Sequence, residues 1–446
     1  MLGKERCEKI LRDSLALLKR ADEAEVTVFT TESGLTRFAT NYIHQNVVEH
    51  TARVQVRVVL GKRIGHATTN RLDAEGLKQM ADHAFEIARH SAETSDFGGL
   101  PEPQPVQIID VFRPSTERYS PRRRAEAVAS VIAQAKARGL IASGAFETGL
   151  REFGIANSKG IFLYNPVTVA DFNTVIMSDD SSGYANQSAI DVHDLDVEAL
   201  GREAIDKADR SRNPIDLEPG EYPVVLEEYA LATLVGFLGY LGFNGQAFRE
   251  GRSFLVEKMN QQVVHPSVQI WDDGLDQTGL AQAFDFEGVP KQRVDLIVDG
   301  VAKSAVWDTQ NARLAKVPCT GHGLPAPNGY GAIPLHVFMA GGTEAKADLM
   351  KGIKRGLWVT RFHYVNPLHP KTTLLTGMTR DGTFLIEDGK LTRGVKNLRF
   401  TNSILGALSG IEALSRERRT FIDQWGSTSV PAARLSLFSF SGKTDF

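Results

Sequence analysis

The stretch TGMTRDGTFLIEDGKLTRGVKNLRFTNS, residues Thr376–Ser403, is the most informative part of the chain for its fold. Two runs of strand-like composition, Thr383–Ile386 and Lys390–Arg393, flank the turn residues Glu387-Asp388-Gly389. A short turn containing Asp-Gly between two such runs is a strong signal for a β-hairpin. Glycines and further short strand-like runs surround this hairpin, so we predict a β-rich C-terminal domain.

Upstream of this hairpin, the strand-like run Tyr222–Leu226 leads directly into the apolar segment Glu228–Leu241. Apolar residues occupy most positions of that segment, which leaves little polar face and predicts a helix buried in the second domain. The residues that indicate burial are Leu231, Leu234, Val235, Leu238 and Leu241. A further helix is predicted over Asn402–Ala413.

The first half of the chain mixes helical and strand-like periodicity. Helices are predicted over Leu2–Lys19, Leu72–His90, from Pro121 to about Ala137, and Asp196–Ala208. Strands are predicted over residues 24–31, 35–39, 47–49, 52–60, 63–68, 140–148, 151–157, 162–164 and 168–177. Hairpin turns at Gly61-Lys62 and Asn157–Gly160 join neighbouring strands. The pattern predicts an α+β layer domain with a mostly antiparallel sheet.

A polar segment with two prolines, Asp209–Glu221, separates these halves. A chain of 446 residues is too long for one ordinary core, so we predict an N-terminal α/β domain, residues 1–212, and a C-terminal β-rich domain, residues 213–446. Together they make a two-domain protein of the α+β class.

The composition indicates a globular protein and gives no support for nucleic-acid binding. Lys and Arg number 51 against 54 Asp and Glu, a net charge of -3, whereas nucleic-acid binding proteins usually carry a basic excess. The two cysteines, Cys7 and Cys319, cannot frame a disulfide-rich scaffold. No signal peptide and no membrane span is visible, so we predict a cytoplasmic protein.

Several motifs resemble those of one known family. EGRSF (Glu250–Phe254), FDFEGVP (Phe284–Pro290) and the run Thr376–Ser403 occur in the order and spacing of the TldD/PmbA family. That family pairs a zinc-peptidase subunit, which bears a His-Glu-x-x-x-His helix, with a related subunit, PmbA or TldE, that lacks this motif. The resemblance implies two-domain subunits, dimers, and action on unfolded or modified peptides.

No His-Glu-x-x-x-His pattern occurs in the sequence. Alignment of the junction VVLEEYALATLVGFLG places Glu227 at the first His, Glu228 at the general base and Ala232 at the second His. The family's cysteine ligand near the C-terminus is also missing, because residues 410–442 contain no cysteine. The alternative interpretation of Glu227 and Glu228 is that two carboxylates near a helix start complement the helix dipole.

The resemblance therefore implies a PmbA/TldE-like subunit with no zinc and no confident catalytic residue, since only Glu228 matches the general-base position. It implies a TldD-like peptidase partner that holds the zinc, with a homodimer as the other assembly, and a peptide substrate. No peptidase activity is expected from the chain alone.

The alternative is an independent metal-dependent hydrolase with a rearranged site around Cys319, His322 and His363. Cys319 and His322 have Cys-x-x-His spacing, which a zinc ion accepts. Buried cysteines and turn histidines explain the same residues without a metal. Substrate-binding candidates are Cys319, His322, Arg361 and His363, which we predict on two loops, Cys319–Gly323 and Arg361–Pro370, that form the wall of a substrate chamber.

Overall fold

The structure, a computed structural model, describes residues 1–423 and 426–444. Within them, the first half of the chain forms a six-stranded sheet in which all neighbours are antiparallel. Its strands are β1 (Glu23–Ala39), β2 (Tyr42–Leu60), β3 (Arg63–Thr69), β4 (Ile141–Asn157), β5 (Phe162–Met177) and β6 (Ser182–Ala189), in the spatial order β3-β2-β1-β4-β5-β6. The predicted α+β class with an antiparallel first sheet is confirmed.

The strands are longer than predicted, because several predicted breaks lie inside continuous strands. Gly34 and Gly149 fall between predicted strands but sit in the middle of β1 and β4. A Cβ on Gly34 would lie 2.4 Å from the Arg124 guanidinium, and one on Gly149 would lie 2.6 Å from the Glu32 carbonyl oxygen. These glycines permit close packing. The predicted turns at Gly61-Lys62 and Asn157–Gly160 are confirmed.

Five helices accompany the first sheet in the described part of the chain, and side chains cap three of them. They are α1 (Lys4–Leu17), α2 (Ala74–His90), α3 (Pro114–Glu117), α4 (Pro121–Ala137) and α5 (Val197–Arg210). The side chains of Asp73, Ser120 and Asp196 accept hydrogen bonds from backbone N–H groups in the first turns of α2, α4 and α5. The helices pack on the sheet through two apolar clusters.

The second half is built around an eleven-stranded sheet. Its elements are β7 (Gly220–Leu226), α6 (Glu228–Gly242), α7 (Gly245–Arg249), α8 (Leu255–Lys258), β8 (Ile270–Asp272), β9 (Val294–Val298), β10 (Val301–Ala302), α9 (Thr309–Ala315), β11 (His336–Met339), β12 (Arg355–His369), β13 (Leu374–Glu387), β14 (Lys390–Gly394), β15 (Leu398–Ser403), α10 (Ile404–Ser409), β16 (Ile411–Ile422) and β17 (Ser427–Lys443). Because β7 pairs with both β12 and β17, the strands β17-β15-β13-β12-β7 close into a ring.

Three predictions for this half can be compared directly with the structure. The hairpin of β13 and β14 is confirmed, and so is burial of α6, whose five indicated residues are all less than a tenth exposed. The helix predicted over Asn402–Ala413 is correct only for its central half, α10, and its two ends are not helical. Its flanks become strands because they pair with β13 and β17.

The two sheets lie on either side of the predicted linker. Helix α5 ends at Arg210 and β7 begins at Gly220, and the division into 1–212 and 213–446 stays a prediction. Apolar packing crosses between the halves: Phe153 and Ile155 of β4 share a buried cluster with Phe284. In the part of the chain that the structure describes, no helix combines the length and apolar character needed to cross a membrane.

Candidate functional site

The junction between β7 and α6 delivers two acidic side chains into the protein interior. The backbone N–H of Glu227 donates to the Val359 carbonyl of β12 at 3.0 Å, which anchors the start of the helix to the sheet. Glu227 occupies the N-cap position, yet its carboxylate makes no capping hydrogen bond. Only 1% of its side chain is exposed, so its partners must be found among buried groups.

The Glu227 carboxylate receives four hydrogen bonds from elsewhere in the fold. One oxygen accepts from Lys207 Nζ at 2.8 Å and from Lys346 Nζ at 2.9 Å. The other accepts from Trp358 Nε1 at 2.7 Å and from Thr360 Oγ1 at 3.0 Å. A buried carboxylate is tolerated only when it is paired and hydrogen-bonded, and Glu227 meets both conditions.

Further ion pairs extend this arrangement. Lys346 Nζ also donates to Glu228 Oε2 at 2.6 Å, and Lys207 Nζ also donates to a Glu203 oxygen at 2.7 Å. Arg419 Nη2 donates to the other Glu203 oxygen at 3.0 Å. Three carboxylates and three cations thus alternate, and we call them the charge cluster: Glu203, Lys207, Glu227, Glu228, Lys346 and Arg419.

The charge cluster shifts the pKa values of three of its buried members, Glu203, Glu227 and Lys346. Burial alone raises the pKa of Glu227, but Lys207 and Lys346 outweigh burial and lower that pKa to about 2. The pKa of Glu203 is also held well below its usual value, because Lys207 and Arg419 outweigh burial. Burial lowers the pKa of Lys346, but the neighbouring Glu227 raises it above the ordinary value. Glu203, Glu227 and Lys346 are therefore charged at neutral pH.

The residues at this helix start do not fit a zinc site. Two ammonium groups already contact the Glu227 carboxylate, and the Ala232 side chain has no donor atom. Among the described residues, no group of three or more His, Cys, Asp and Glu side chains could hold a metal ion. The dipole interpretation of Glu227 is also insufficient, because its carboxylate binds lysines from other elements and not its own helix.

An open cavity of about 350 Å³ lies beside α6, and we call it the helix cavity. One stripe of α6, residues three and four apart, forms one wall, as expected for one face of a helix. The lining side chains are Tyr184, Asn186, Tyr229, Ala232, Thr233, Gly236, Phe237, Arg361, Phe362, His363, Tyr364, Val365, Phe421, Ile422 and Asp423. Both halves of the chain contribute, since Tyr184 and Asn186 belong to β6.

Two of the predicted substrate-binding residues, Arg361 and His363, meet in the helix cavity. Arg361 donates from Nε to Asp381 Oδ2 at 2.6 Å, and its guanidinium lies 4.3 Å from the centre of the Tyr184 ring. Burial lowers the pKa of His363, and nearby arginines lower it further, so the imidazole is neutral at pH 7. The predicted Arg361–Pro370 loop is wrong in form, because residues up to His369 belong to β12.

The other two candidates, Cys319 and His322, do not line the helix cavity. His322 is fully buried, with Nε2 2.7 Å from Asp272 Oδ1 and Nδ1 2.8 Å from the Thr320 carbonyl oxygen. Burial and Asp285 raise the pKa of the Cys319 thiol to about 12, so it stays protonated. These contacts brace a loop in the interior, and the metal site proposed around Cys319, His322 and His363 gains no support.

Four members of the charge cluster were not identified from the sequence: Glu203, Lys207, Lys346 and Arg419. Glu203 and Lys207 stand four residues apart on a predicted helix, which normally indicates an exposed ion pair. Lys346 and Arg419 come from segments far along the chain. Their role depends on tertiary contacts that no local pattern encodes.

Comparisons with known proteins agree with this architecture. The family description "PmbA/TldA metallopeptidase C-terminal domain" matches residues 219–442, and "PmbA/TldA metallopeptidase domain 1" matches residues 24–88. The chain is 25% identical to the Metalloprotease TldD homolog of Haemophilus influenzae over 391 residues, 81% of this chain and 78% of that protein. It is 22% identical to Metalloprotease PmbA of Escherichia coli O157:H7 over 443 residues, 94% of this chain and 93% of that protein.

A solved structure shows the same fold. The crystal structure of TldE from Thermococcus kodakarensis superposes with a TM-score of 0.89 at 21% identity, covering 98% of this chain and 99% of that one. The antiparallel first sheet, the β-rich second half and the matched C-terminal region define a metallopeptidase-like protein. The chain belongs to the PmbA/TldD family.

Proposed function

We propose that this chain is a PmbA/TldE-like, non-catalytic subunit of a TldD-type zinc metallopeptidase that acts on unfolded or modified peptides. The observation that carries the proposal is the charge cluster at the start of α6. Lys207 and Lys346 supply positive charge at the Glu227 carboxylate. The carboxylate is therefore neutralised by side chains and does not need a metal ion. Glu228, at the general-base position, is paired with Lys346.

Metal analysis of the purified chain tests the loss of the catalytic site. We expect no stoichiometric zinc and no chelator-sensitive peptidase activity, because the ligand positions hold Glu227 and Ala232. A TldD-like relative with an intact His-Glu-x-x-x-His helix, purified and assayed in the same way, is the control. One tightly held zinc per chain together with chelator-sensitive cleavage would reject the proposal.

The second part of the proposal concerns assembly: the functional unit is a dimer with a TldD-like peptidase. A subunit without catalytic ligands still contributes if it completes a closed chamber around its partner's active site. Co-expression with such a relative tests this, with co-purification and a gain in peptidase activity as the expected result. A relative that never co-purifies and is equally active alone would contradict the proposal. If this chain instead forms a homodimer, the purified complex would contain this chain only.

We further propose that the peptide is extended and is held by strand addition at a sheet edge, where backbone hydrogen bonds tolerate many sequences. The predicted cytoplasmic location is part of the same proposal. The rearranged metal-dependent hydrolase is not supported by any observation on Cys319, His322 or His363.

A further inference from the structure

Arg124 of α4 is buried against the first sheet without an acidic partner. Only 1% of the residue is exposed. Its Nε donates to Thr36 Oγ1 at 3.3 Å, and its Nη1 donates to Thr148 Oγ1 at 2.9 Å and to the Tyr119 carbonyl oxygen at 2.8 Å. All three acceptors are neutral. Glu147 acts on the charge of Arg124 only through space, and its carboxylate accepts a hydrogen bond from another residue, Ser33.

The contacts of Arg124 leave part of the guanidinium unused. A guanidinium has five N–H donors, and the three hydrogen bonds use the one on Nε and both on Nη1. Among the described residues, Nη2 has no hydrogen-bond partner. Burial lowers the pKa of Arg124, but arginine stays protonated in proteins. Buried charges are normally paired, so an anion from outside the chain would satisfy both the donors and the charge.

A cavity of about 180 Å³ adjoins this guanidinium, between the helices and the first sheet, and we call it the arginine cavity. It is lined by Arg124, by two residues of β1 and by the segment that leads from α3 into α4, including Glu32, Gly34, Glu117, Arg118 and Tyr119. A Cβ on Gly34 would lie 2.6 Å from Nη2, so the unpartnered nitrogen meets the cavity wall at this glycine.

The strand register places these groups on one face of the sheet. The pairing of β1 with β4 has no shift from Glu25 to Phe38, so residues 32, 34 and 36 of β1 share a face. Gly34 pairs with Thr148, which contacts Arg124 on that same face. A side chain at position 34 would fill the space beside the guanidinium, and glycine leaves it free.

The other charged groups of the arginine cavity already have partners. Glu32 Oε2 lies 3.2 Å from the Met1 ammonium group and 3.3 Å from His50 Nδ1. Glu117 Oε2 lies 3.5 Å from Arg118 Nε. The two carboxylates leave Arg124 as the cation without a counter-ion in this cavity, among the residues that the structure describes. They also repel a multiply charged anion and therefore favour one that carries a single charge.

We propose that the arginine cavity binds a small monocarboxylate, whose oxygen atoms accept hydrogen bonds from Nη2 of Arg124. Guanidinium and carboxylate groups form strong, charge-assisted hydrogen bonds. The ligand must be small, because the volume of about 180 Å³ is below the usual range for a drug-sized ligand. Once bound, it would neutralise the buried charge and hold α4 against β1 and β4.

Saturation-transfer difference NMR, with acetate titrated onto the purified full-length chain at constant ionic strength, tests the proposal. We expect a saturable signal from the acetate methyl group. Arg124→Met keeps an unbranched side chain and removes the charge, so it should weaken acetate binding by about tenfold or more. Arg122→Met is the matched control, because it makes the same change on the same helix at an 87% exposed side chain outside the cavity. Its affinity should equal that of the wild type.

Two measurements on the wild-type chain keep the test independent of folding defects. Acetamide has the shape of acetate without the charge and should give no saturable signal. Propionate should displace acetate at a lower concentration than phosphate does, because Glu32 and Glu117 repel the phosphate dianion.

Three results would overturn the inference: no saturable acetate signal, equal binding of acetate and acetamide, or unchanged acetate binding by folded Arg124→Met. Stronger competition by phosphate than by propionate would overturn the choice of a monocarboxylate. These assays contain neither a peptide nor a second subunit, so their failure would leave the proposed subunit role intact.

Discussion

At the scale of single residues, Glu227 shows how a carboxylate is accommodated in the protein interior. A buried carboxylate without a metal needs other cations, and here two lysines from different elements provide them. Removing one partner of a buried ion pair usually destabilises a protein strongly, because the remaining charge is left uncompensated. Residues of the charge cluster should therefore matter for stability even without a catalytic role.

Glu227→Gln tests this dependence, because glutamine keeps the shape and removes the charge. We expect a loss of about 3–5 kcal/mol in the free energy of unfolding, since Lys207 and Lys346 lose a shared counter-ion. Urea denaturation measures it. Asp13→Asn, in an exposed ion pair with Lys9, is the control, with a change below about 0.5 kcal/mol. Equal effects of the two substitutions would show that the buried pairs contribute little.

The same residue gives a prediction for pH. The pKa of Glu227 falls from an ordinary 4.5 to about 2 in the folded state, so its contribution is complete above pH 4.5 and is lost as pH falls towards 2. The difference in unfolding free energy between wild type and Glu227→Gln should therefore shrink over that window. Denaturation curves at several pH values measure it, and a difference that stays constant down to pH 2 would contradict the assignment.

At the scale of elements, α6 both fills the core and forms a wall of the helix cavity. Most of its residues are buried, and two of its half-buried residues, Thr233 and Phe237, line the helix cavity. A helix that is apolar almost all round is held by tertiary packing rather than by its own propensity. Its packing is thus what positions Thr233 and Gly236 in the wall of the helix cavity.

Leu238→Ala measures the strength of this packing. Leu238 is fully buried in the main apolar cluster, so its truncation should cost about 2–5 kcal/mol of unfolding free energy. Val256→Ala, at an exposed position of α8, should change stability by less than about 0.5 kcal/mol. Chemical denaturation of both variants measures these changes in unfolding free energy. A small effect of Leu238→Ala would mean that α6 is loosely packed.

The sequence allowed prediction of elements whose signals are local. The turn at Gly61-Lys62 and the apolar run of α6 both act within a few residues, and both predictions are confirmed. Strand β6 was missed, because its small polar residues form a strand only through pairing with β5. Half of the candidate site could be predicted, since Arg361 and His363 line the helix cavity. The lysines that pair with Glu227 could not, because they come from distant segments of the chain.

At the scale of the whole molecule, the two halves are connected by more than their linker. Lys207 of α5 pairs with Glu227 of the second half, and an aromatic cluster joins β4 to the segment around Phe284. The helix cavity also draws residues from both halves. A change in their relative position would therefore alter the cavity, the charge cluster and the aromatic cluster together.

Calorimetry tests this connection. We expect one cooperative unfolding transition for the wild type, because buried ion pairs and apolar contacts cross between the halves. The double variant Lys207→Met and Phe284→Ala removes one contact of each kind and should separate the transition into two. Two resolved transitions already in the wild type would show that the halves unfold independently.

The closed ring of strands in the second half has a consequence for how the protein is made. Val224 of β7 pairs with Leu435 of β17, so a ribosome must add roughly 200 residues between the two strands. At about 5–20 residues per second, that takes about 10–40 s. During this interval α6 has emerged without the strands that bury it. Nascent chains that stall in this window should depend on chaperones, and a partner subunit can recognise the completed ring only after translation has passed β17.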